Sequence, residues 1–238
     1  MHNWSDPAYV AKQYATEQPL SARRALYTHL DGPDAREVVF AAVAEVRPAR
    51  VLEVGCGPGE MAERIARDLA AAVVAVDVSP RMVELTRSRG VEARVGDVQD
   101  LPFADESFDC VLAAWMLFHV RDLDRALGEI ARVLRPGGRL VAATNSGRHV
   151  AEVWELVSGP PMELPFSREN GDAILRAHFV HVERRDVDAW ASVADRDVLR
   201  RYFASTERGR PYVDAVPELA EPLRLGVRTS VFLADTAS

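Results

Sequence analysis

Three glycines at alternate positions, Gly55, Gly57 and Gly59, follow a short apolar run, Val51-Leu52-Glu53-Val54, which carries an acid near its end. Glycine lacks a Cβ, so a chain built this way can turn sharply and press its backbone against a ligand. A strand breaking into such a loop and then a helix is how α/β sheets hold nucleotide-like ligands at their carboxyl edge. The usual dinucleotide fingerprint places its last glycine one residue later. The spacing here points away from NAD and toward a ligand with adenosine but no pyrophosphate. Asp77 follows Gly55 by 22 residues, at the end of the next apolar run. That is the distance at which an acid meets a ribose, whose hydroxyls a carboxylate can accept through charge-assisted hydrogen bonds. The other reading of Asp77 is a helix cap, a role open to Ser79. Glu53 either contacts the ligand or orders the glycine loop. Histidine can take a proton from a hydroxyl or amine, so His119 could act as a base, or it could hydrogen-bond backbone ahead of the helix at Arg121-Asp122.

The elements that must position these residues alternate. Strands are expected at Val51–Val54, Val73–Val76, Ala93–Val95, Cys110–Ala114 and Leu140–Thr144. Helices are expected at Met61–Ala70, Arg81–Arg89 and Arg121–Leu134. This pattern implies right-handed crossovers and a parallel sheet, with near-continuous Val, Ala and Leu runs because both faces are covered. Before it, residues 5–47 read as two or three helices: Ser21 is a plausible cap for one, and Asp34 starts another over Ala35–Arg47, which Pro48 ends. After it, helices are expected at 148–157, 169–179 and 195–205 and strands at 180–187 (edge) and 226–233.

Four ordered segments resemble the motifs of class I S-adenosylmethionine-dependent methyltransferases: Glu53-Val-Gly-Cys-Gly-Pro-Gly59, Val73-Val-Ala-Val-Asp77, Gly96-Asp97-Val98 with Leu101-Pro102-Phe103, and Arg132-Val-Leu-Arg-Pro136-Gly137-Gly138-Arg-Leu140. The match spans roughly residues 45–145, and Met116-Leu-Phe-His-Val120 is most similar to the type 11 group, which includes quinone-biosynthesis enzymes. The resemblance implies a Rossmann-like α/β domain with a seven-stranded, mostly parallel sheet. Within one domain, 1–47 would be a helical cap, 48–145 the cofactor-binding core, and 146–238 the substrate side with the last two strands, an antiparallel pair, and an insertion near 190–222.

The resemblance also implies site residues. Asp97 would accept from the adenine amino group and the Val98 N–H would serve a ring nitrogen; Asp97 alone reads equally as a turn residue. Val78 and Met82 would contact adenine, and the Ala114 carbonyl the methionine portion. Tyr14 or Arg23 of the cap would meet the methionine carboxylate, since guanidinium binds carboxylate bidentately, and each reads equally as ordinary helix surface. By their place at the active edge after the fourth and fifth strands, Trp115, Asn145, His149 and Glu152 are candidate acceptor-side residues, with Trp115 reading equally as core, and His119 at the rim is the candidate base.

Bulk properties narrow the partners. With 48% apolar and 27% charged residues in 238, the composition is that of an ordinary globular chain with a sizeable core. The formal charge is −7 with no basic cluster, which disfavours nucleic acid. Cys56 and Cys110 suit reduced, buried thiols and offer no metal spacing. The amino terminus lacks a signal-peptide pattern and no run is long enough to span a membrane, so a cytoplasmic protein is expected, as monomer or homodimer. Lys12 is the only lysine beside many arginines and alanines, a bacterial, GC-rich bias. It also leaves a nicotinamide oxidoreductase without a Tyr-Lys pair. The expected function is methyl transfer from S-adenosylmethionine, giving S-adenosylhomocysteine, to a small acceptor in secondary-metabolite or quinone biosynthesis. The alternatives are a protein or RNA acceptor, or a protein that binds the cofactor without turnover.

Overall fold

The computed structural model describes residues 4–238. One mixed sheet runs through them. Its strands are β1 (Leu30–Asp31), β2 (Arg50–Val54), β3 (Ala72–Asp77), β4 (Glu92–Val95), β5 (Phe108–Ala114), β6 (Leu134–Asn145), β7 (His181–Val193) and β8 (Leu223–Asp235). The spatial order is β1-β7-β8-β6-β5-β2-β3-β4. The five strands from β6 to β4 are parallel, and β8 pairs antiparallel with both β6 and β7. From β2 the chain winds outward to β3 and β4, then returns to lay β5 on the other side. This reversal opens a crevice at the carboxyl ends of β2 and β5, where open α/β sheets bind ligands.

The helices are α1 (Pro7–Gln13), α2 (Gln18–Arg24), α3 (Ala35–Val46), α4 (Glu60–Asp68), α5 (Pro80–Ser88), α6 (Leu123–Val133), α7 (Ala151–Leu156), α8 (Gly171–Leu175) and α9 (Arg196–Ala204). Strand side chains alternate between faces, and both faces are covered. Leu52 and Val54 join Leu127 and Ile130 of α6 in one core layer. Val51 and Val73 join Val43 of α3 and Ile65 of α4 in the other. A third cluster, with Leu26, Trp154, Leu199 and Phe203, ties the cap to the carboxyl-terminal helices.

The Rossmann-like class expected from the sequence is formed, with corrections of detail. Eight strands are present among the described residues rather than seven, because Leu30 and Asp31 pair with Ala191 and Trp190 on the open edge of β7. Two residues give no readable period. Ser21 does not cap α2: the helix starts at Gln18, with Pro19 in its first turn where a missing N–H costs nothing. β7 continues to Val193, so the excursion begins later than 190, and α8 is confined to Gly171–Leu175. Asp34 caps α3 through Arg36 N at 2.8 Å, as expected.

The glycine loop is held by packing as well as by backbone shape. Gly59 has φ +78°, and a Cβ there would lie 2.6 Å from Thr86 Oγ1 and 2.7 Å from its Cγ2. Thr86 is fully buried and its hydroxyl donates to Gly57 O at 3.0 Å, so it cannot swing away without breaking the loop. Gly59→Ala is therefore expected to destabilise by about 2–3 kcal/mol, part left-handed strain and part overpacking. For a chain this size that is a fall in Tm of roughly 5–10 °C. Gly57 has φ +53° but nothing within 4 Å of its Cβ position. Gly57→Ala should show only the backbone part, about 1 kcal/mol, and thermal melts of the two variants side by side check this ordering.

Candidate functional site

A cavity of about 1340 Å³ lies at the carboxyl ends of the parallel strands, under the amino-terminal helices. Its two ends differ chemically.

At the first end the backbone turns from β2 into α4. Gly55 N and Cys56 N both donate to Val76 O, at 2.7 and 3.2 Å, which pins the loop to β3. A Cβ on Gly55 would collide with Met116 at 2.6 Å. Gly57 presents bare backbone to open space. Asp77, at the end of β3, is 8% exposed and accepts Gly57 N and Ser79 N on different oxygens, both at 2.9 Å. Burial raises its pKa, and the two N–H bonds work against that rise. Capping of α5 falls to the Ser79 hydroxyl, which accepts Met82 N at 3.3 Å. Asp77 therefore keeps lone pairs available beside the exposed glycine backbone.

Glu53 is 4% exposed, and its Oε2 has no hydrogen-bond partner. Burial pushes its carboxyl pKa up to about 8, a bond from the Ala62 N–H at the start of α4 opposes this, and the nearby Asp77 adds to it. A cavity-lining carboxyl group with a buried, unpartnered oxygen, beside bare glycine backbone, fits a cationic, hydroxyl-bearing ligand. Asp97 stands on the same wall, exposed, with its carboxylate taken by Gln99 N at 2.9 Å and Gln99 Nε2 at 3.0 and 2.9 Å. Val78, Val98 and Ala114 line the cavity too. Met82 does not: it is fully buried beneath the wall. Gly59 also lies behind the lining, where it acts through Thr86.

The second end is aromatic. His119 is bonded at both ring nitrogens, Nδ1 to Trp4 O at 2.9 Å and Nε2 to Tyr14 Oη at 3.0 Å. A carbonyl can only accept, so Nδ1 carries the proton when the ring is neutral and Nε2 accepts from the Tyr14 hydroxyl. Tyr14 is held in place at the other end by Ser79, whose hydroxyl donates to Tyr14 O at 2.9 Å. Burial raises the Tyr14 pKa, which keeps it a donor. Arg23 donates to Gln13 Oε1 at 3.0 Å and stands 5.7 Å from the Tyr14 ring centre; it forms no ion pair among the described residues.

Trp115 adopts φ +55°, and its indole N–H donates to Asn145 Oδ1 at 3.2 Å. That oxygen also accepts the Thr229 hydroxyl at 3.1 Å, so Asn145 orients the indole. His149 pairs with Tyr27 Oη at 2.8 Å, and burial lowers its pKa to about 4, so it is neutral at pH 7. Glu152 is not on the cavity wall: its carboxylate accepts Gly226 N at 3.0 Å and lies 3.6 Å from Arg228. It clamps α7 to β8. Tyr27, Trp4 and Arg208 line the cavity without any sequence signal. They arrive from the cap and the late insertion, where no motif marks a position.

Residues 52–142 match the methyltransferase-domain family of type 11. The chain is 35% identical over 162 residues to a fatty-acid O-methyltransferase of Mycolicibacterium smegmatis, covering 66% of this chain and 57% of that protein. It is 44% identical over 102 residues to the methyltransferase GfsG of Streptomyces halstedii, covering 40% of this chain and 37% of that protein. The chain thus spans between about a third and three fifths of these relatives' own lengths. Among solved structures it is similar in fold to an S-adenosylmethionine-dependent methyltransferase from Thermotoga maritima: TM-score 0.59, 21% identity, 94% of this chain and 99% of that one. Among the described residues no helix is long and apolar enough to cross a membrane.

Proposed function

We propose that this chain, which belongs to the class I S-adenosylmethionine-dependent methyltransferases of the type 11 group, moves a methyl group from S-adenosylmethionine to a small-molecule acceptor. The observation that carries this reading is one cluster: open backbone at Gly57, the Asp77 carboxylate bonded to it at 2.9 Å, and the unpaired oxygen of Glu53 on the same wall. In it, Asp77 takes the ribose hydroxyls, Glu53 faces the ammonium, and Arg23 takes the carboxylate. The Val98 N–H and the apolar surfaces of Val98 and Val78 hold adenine, with Asp97 at its edge. The cofactor supplies an electrophilic methyl on a sulfonium, so the protein's task is alignment, which can contribute up to about 7–11 kcal/mol.

His119 Nε2 receives the acceptor's proton when Tyr14 gives up its hydrogen bond. The Trp4 carbonyl meanwhile holds the ring and stabilises the imidazolium. Trp115, oriented by Asn145, walls the acceptor, and the neutral His149–Tyr27 pair offers it uncharged polar contact. A net charge of −7 favours a small acceptor over RNA. The setting we propose is a cytoplasmic, bacterial enzyme, monomer or homodimer, in secondary-metabolite or quinone biosynthesis. The test is incubation of the purified chain with methyl-labelled donor and a panel of phenols, quinols, amines and carboxylic acids. Formation of S-adenosylhomocysteine together with a labelled small molecule is expected. Label appearing only in protein or RNA, or cofactor binding without product on any acceptor, would replace this reading.

Glu53 makes a separate, pH-dependent prediction. With its pKa near 8, it is mostly protonated at pH 7 in the free protein. A cation bound against it favours the carboxylate, so ligand binding must expel a proton. Affinity for S-adenosylhomocysteine should rise with pH up to about 8 and fall below it, with roughly 0.5–0.9 proton released at pH 7. Calorimetry in buffers of different ionisation enthalpy reads that number directly, and Glu53→Gln should reduce it to near zero. No proton release from the wild type would leave Glu53 without its proposed partner.

A further inference from the structure

We infer that the acceptor carries a carboxylate on a largely apolar body, and that Arg208 holds it at a point removed from the atom that is methylated. This rests on the reading of the cavity as a methyl-transfer site.

Arg208 stands on a hydrogen-bonded turn. Gly209 N and Arg210 N both donate to Thr206 O at 3.1 Å, and a Cβ on Gly209 would come within 2.3 Å of Phe203 O. From this turn the guanidinium stacks over Trp154, 4.0 Å from the ring centre, with Trp4 5.9 Å away. Nη2 donates to the carbonyls of Pro160 and Pro161, at 2.6 and 2.7 Å. Nη1 is buried and has no hydrogen-bond partner among the described residues. The residue lines the cavity, yet among the described residues no carboxylate lies within ion-pair distance of it. Most arginines of this chain are paired with acids, as Arg64 is with Glu37 and Arg132 with Glu129. Arg208 is half-buried and stays charged, and a partly desolvated charge with no counter-ion gains when an anion meets it. Aromatic faces and two carbonyls stabilise the charge without neutralising it.

With Nη2 engaged by two carbonyls, the nitrogen left without an acceptor is Nη1, and one such group suits a monoanion better than a phosphate dianion, which would call for a second cation. The surroundings, Trp4, Trp154, Met162 and Leu164, suit an apolar body attached to it. The anion is a handle and not the nucleophile. Pairing with guanidinium withdraws the electron density that attack on the methyl needs. An ionised carboxylate also has no proton for the His119 base to remove.

The test compares 4-phenylbutyrate with its uncharged amide by calorimetry on the full chain, alongside titration with S-adenosylhomocysteine. The wild type should prefer the acid by about tenfold or more, the scale of a charged hydrogen bond. Arg208→Gln should bring the two within about twofold, Arg208→Lys should restore part of the preference, and S-adenosylhomocysteine affinity should not change in either. Equal binding of acid and amide by the wild type, binding of neither at millimolar concentration, or a preference that survives Arg208→Gln overturns the inference. If Arg208→Gln fails to fold, Arg208→Lys keeps the test available, and titrating with S-adenosylhomocysteine already bound keeps Arg23 occupied, so that a preference for the acid reports on Arg208. An acid preference lost with Arg208 in a chain that ignores S-adenosylhomocysteine would keep the anion site and remove the methyl-transfer reading.

Discussion

His119→Phe is expected to lower kcat by on the order of 100- to 10,000-fold, the range of a lost general base, with little change in cofactor affinity. Phenylalanine keeps the ring between Phe118, 4.4 Å away between centres, and Tyr14 at 5.5 Å, so packing is preserved. What disappears is Nε2, the acceptor of the Tyr14 hydroxyl at 3.0 Å, and Nδ1, the donor to Trp4 O. The pH profile separates catalysis from architecture. If the imidazole takes the proton, kcat of the wild type falls on the acid side and the variant loses that limb. Tyr14→Phe should have a smaller effect, since it removes only the partner that the base releases. A variant whose kcat stays within about threefold of wild type, with the acid limb intact, would make His119 a structural link between the cap and the sheet.

Asp77→Ala should weaken S-adenosylhomocysteine binding at least tenfold, on the order of the 1.5–3 kcal/mol of a charged hydrogen bond. The structure adds a second effect. Both carboxylate oxygens already accept backbone N–H groups, Gly57 on one and Ser79 on the other. Removing them strands two donors in a site that is 8% exposed, so Tm should fall as well. Asp77→Asn is not conservative here, because an amide offers one acceptor oxygen where the site needs two. One of the N–H groups would then face an NH2. Asn is expected to lose nearly as much affinity as Ala. Melts and titrations on both variants check this, and an Asn variant that binds like wild type would show that charge and double acceptance at Asp77 are dispensable.

The parts legible in the sequence are those fixed by local rules. β2 and β3 carry buried side chains on both faces, so a run of mostly apolar residues marked them to within a residue. The glycine loop, Glu53 and Asp77 were visible because a tight backbone and an acid at a strand end leave few alternatives. What stayed hidden depends on segments meeting across the chain. Tyr27 reaches His149 across 122 positions, and the Trp4 carbonyl reaches His119 across 115. Neither the cap nor the insertion has a motif that gives its angle over the sheet. Glu152 and Met82 show the converse: residue type and place along the chain suggested the site, but backbone rotation turned Glu152 onto Gly226 and Arg228 and buried Met82 behind the wall. The two-residue β1 is too short for any period to announce it. Arg208 could not be picked out among so many arginines, since only the fold shows which of them line the cavity without an acid.

The most direct measurement is titration of the purified wild-type chain with S-adenosylhomocysteine by calorimetry, with NADH as the control. Saturable binding at one site per chain is expected, accompanied by a rise in Tm and by no response to NADH. Absence of heat and of any Tm shift at millimolar S-adenosylhomocysteine would contradict the assignment of Gly57, Asp77 and Glu53 as a cofactor cradle, and the acceptor chemistry built on it.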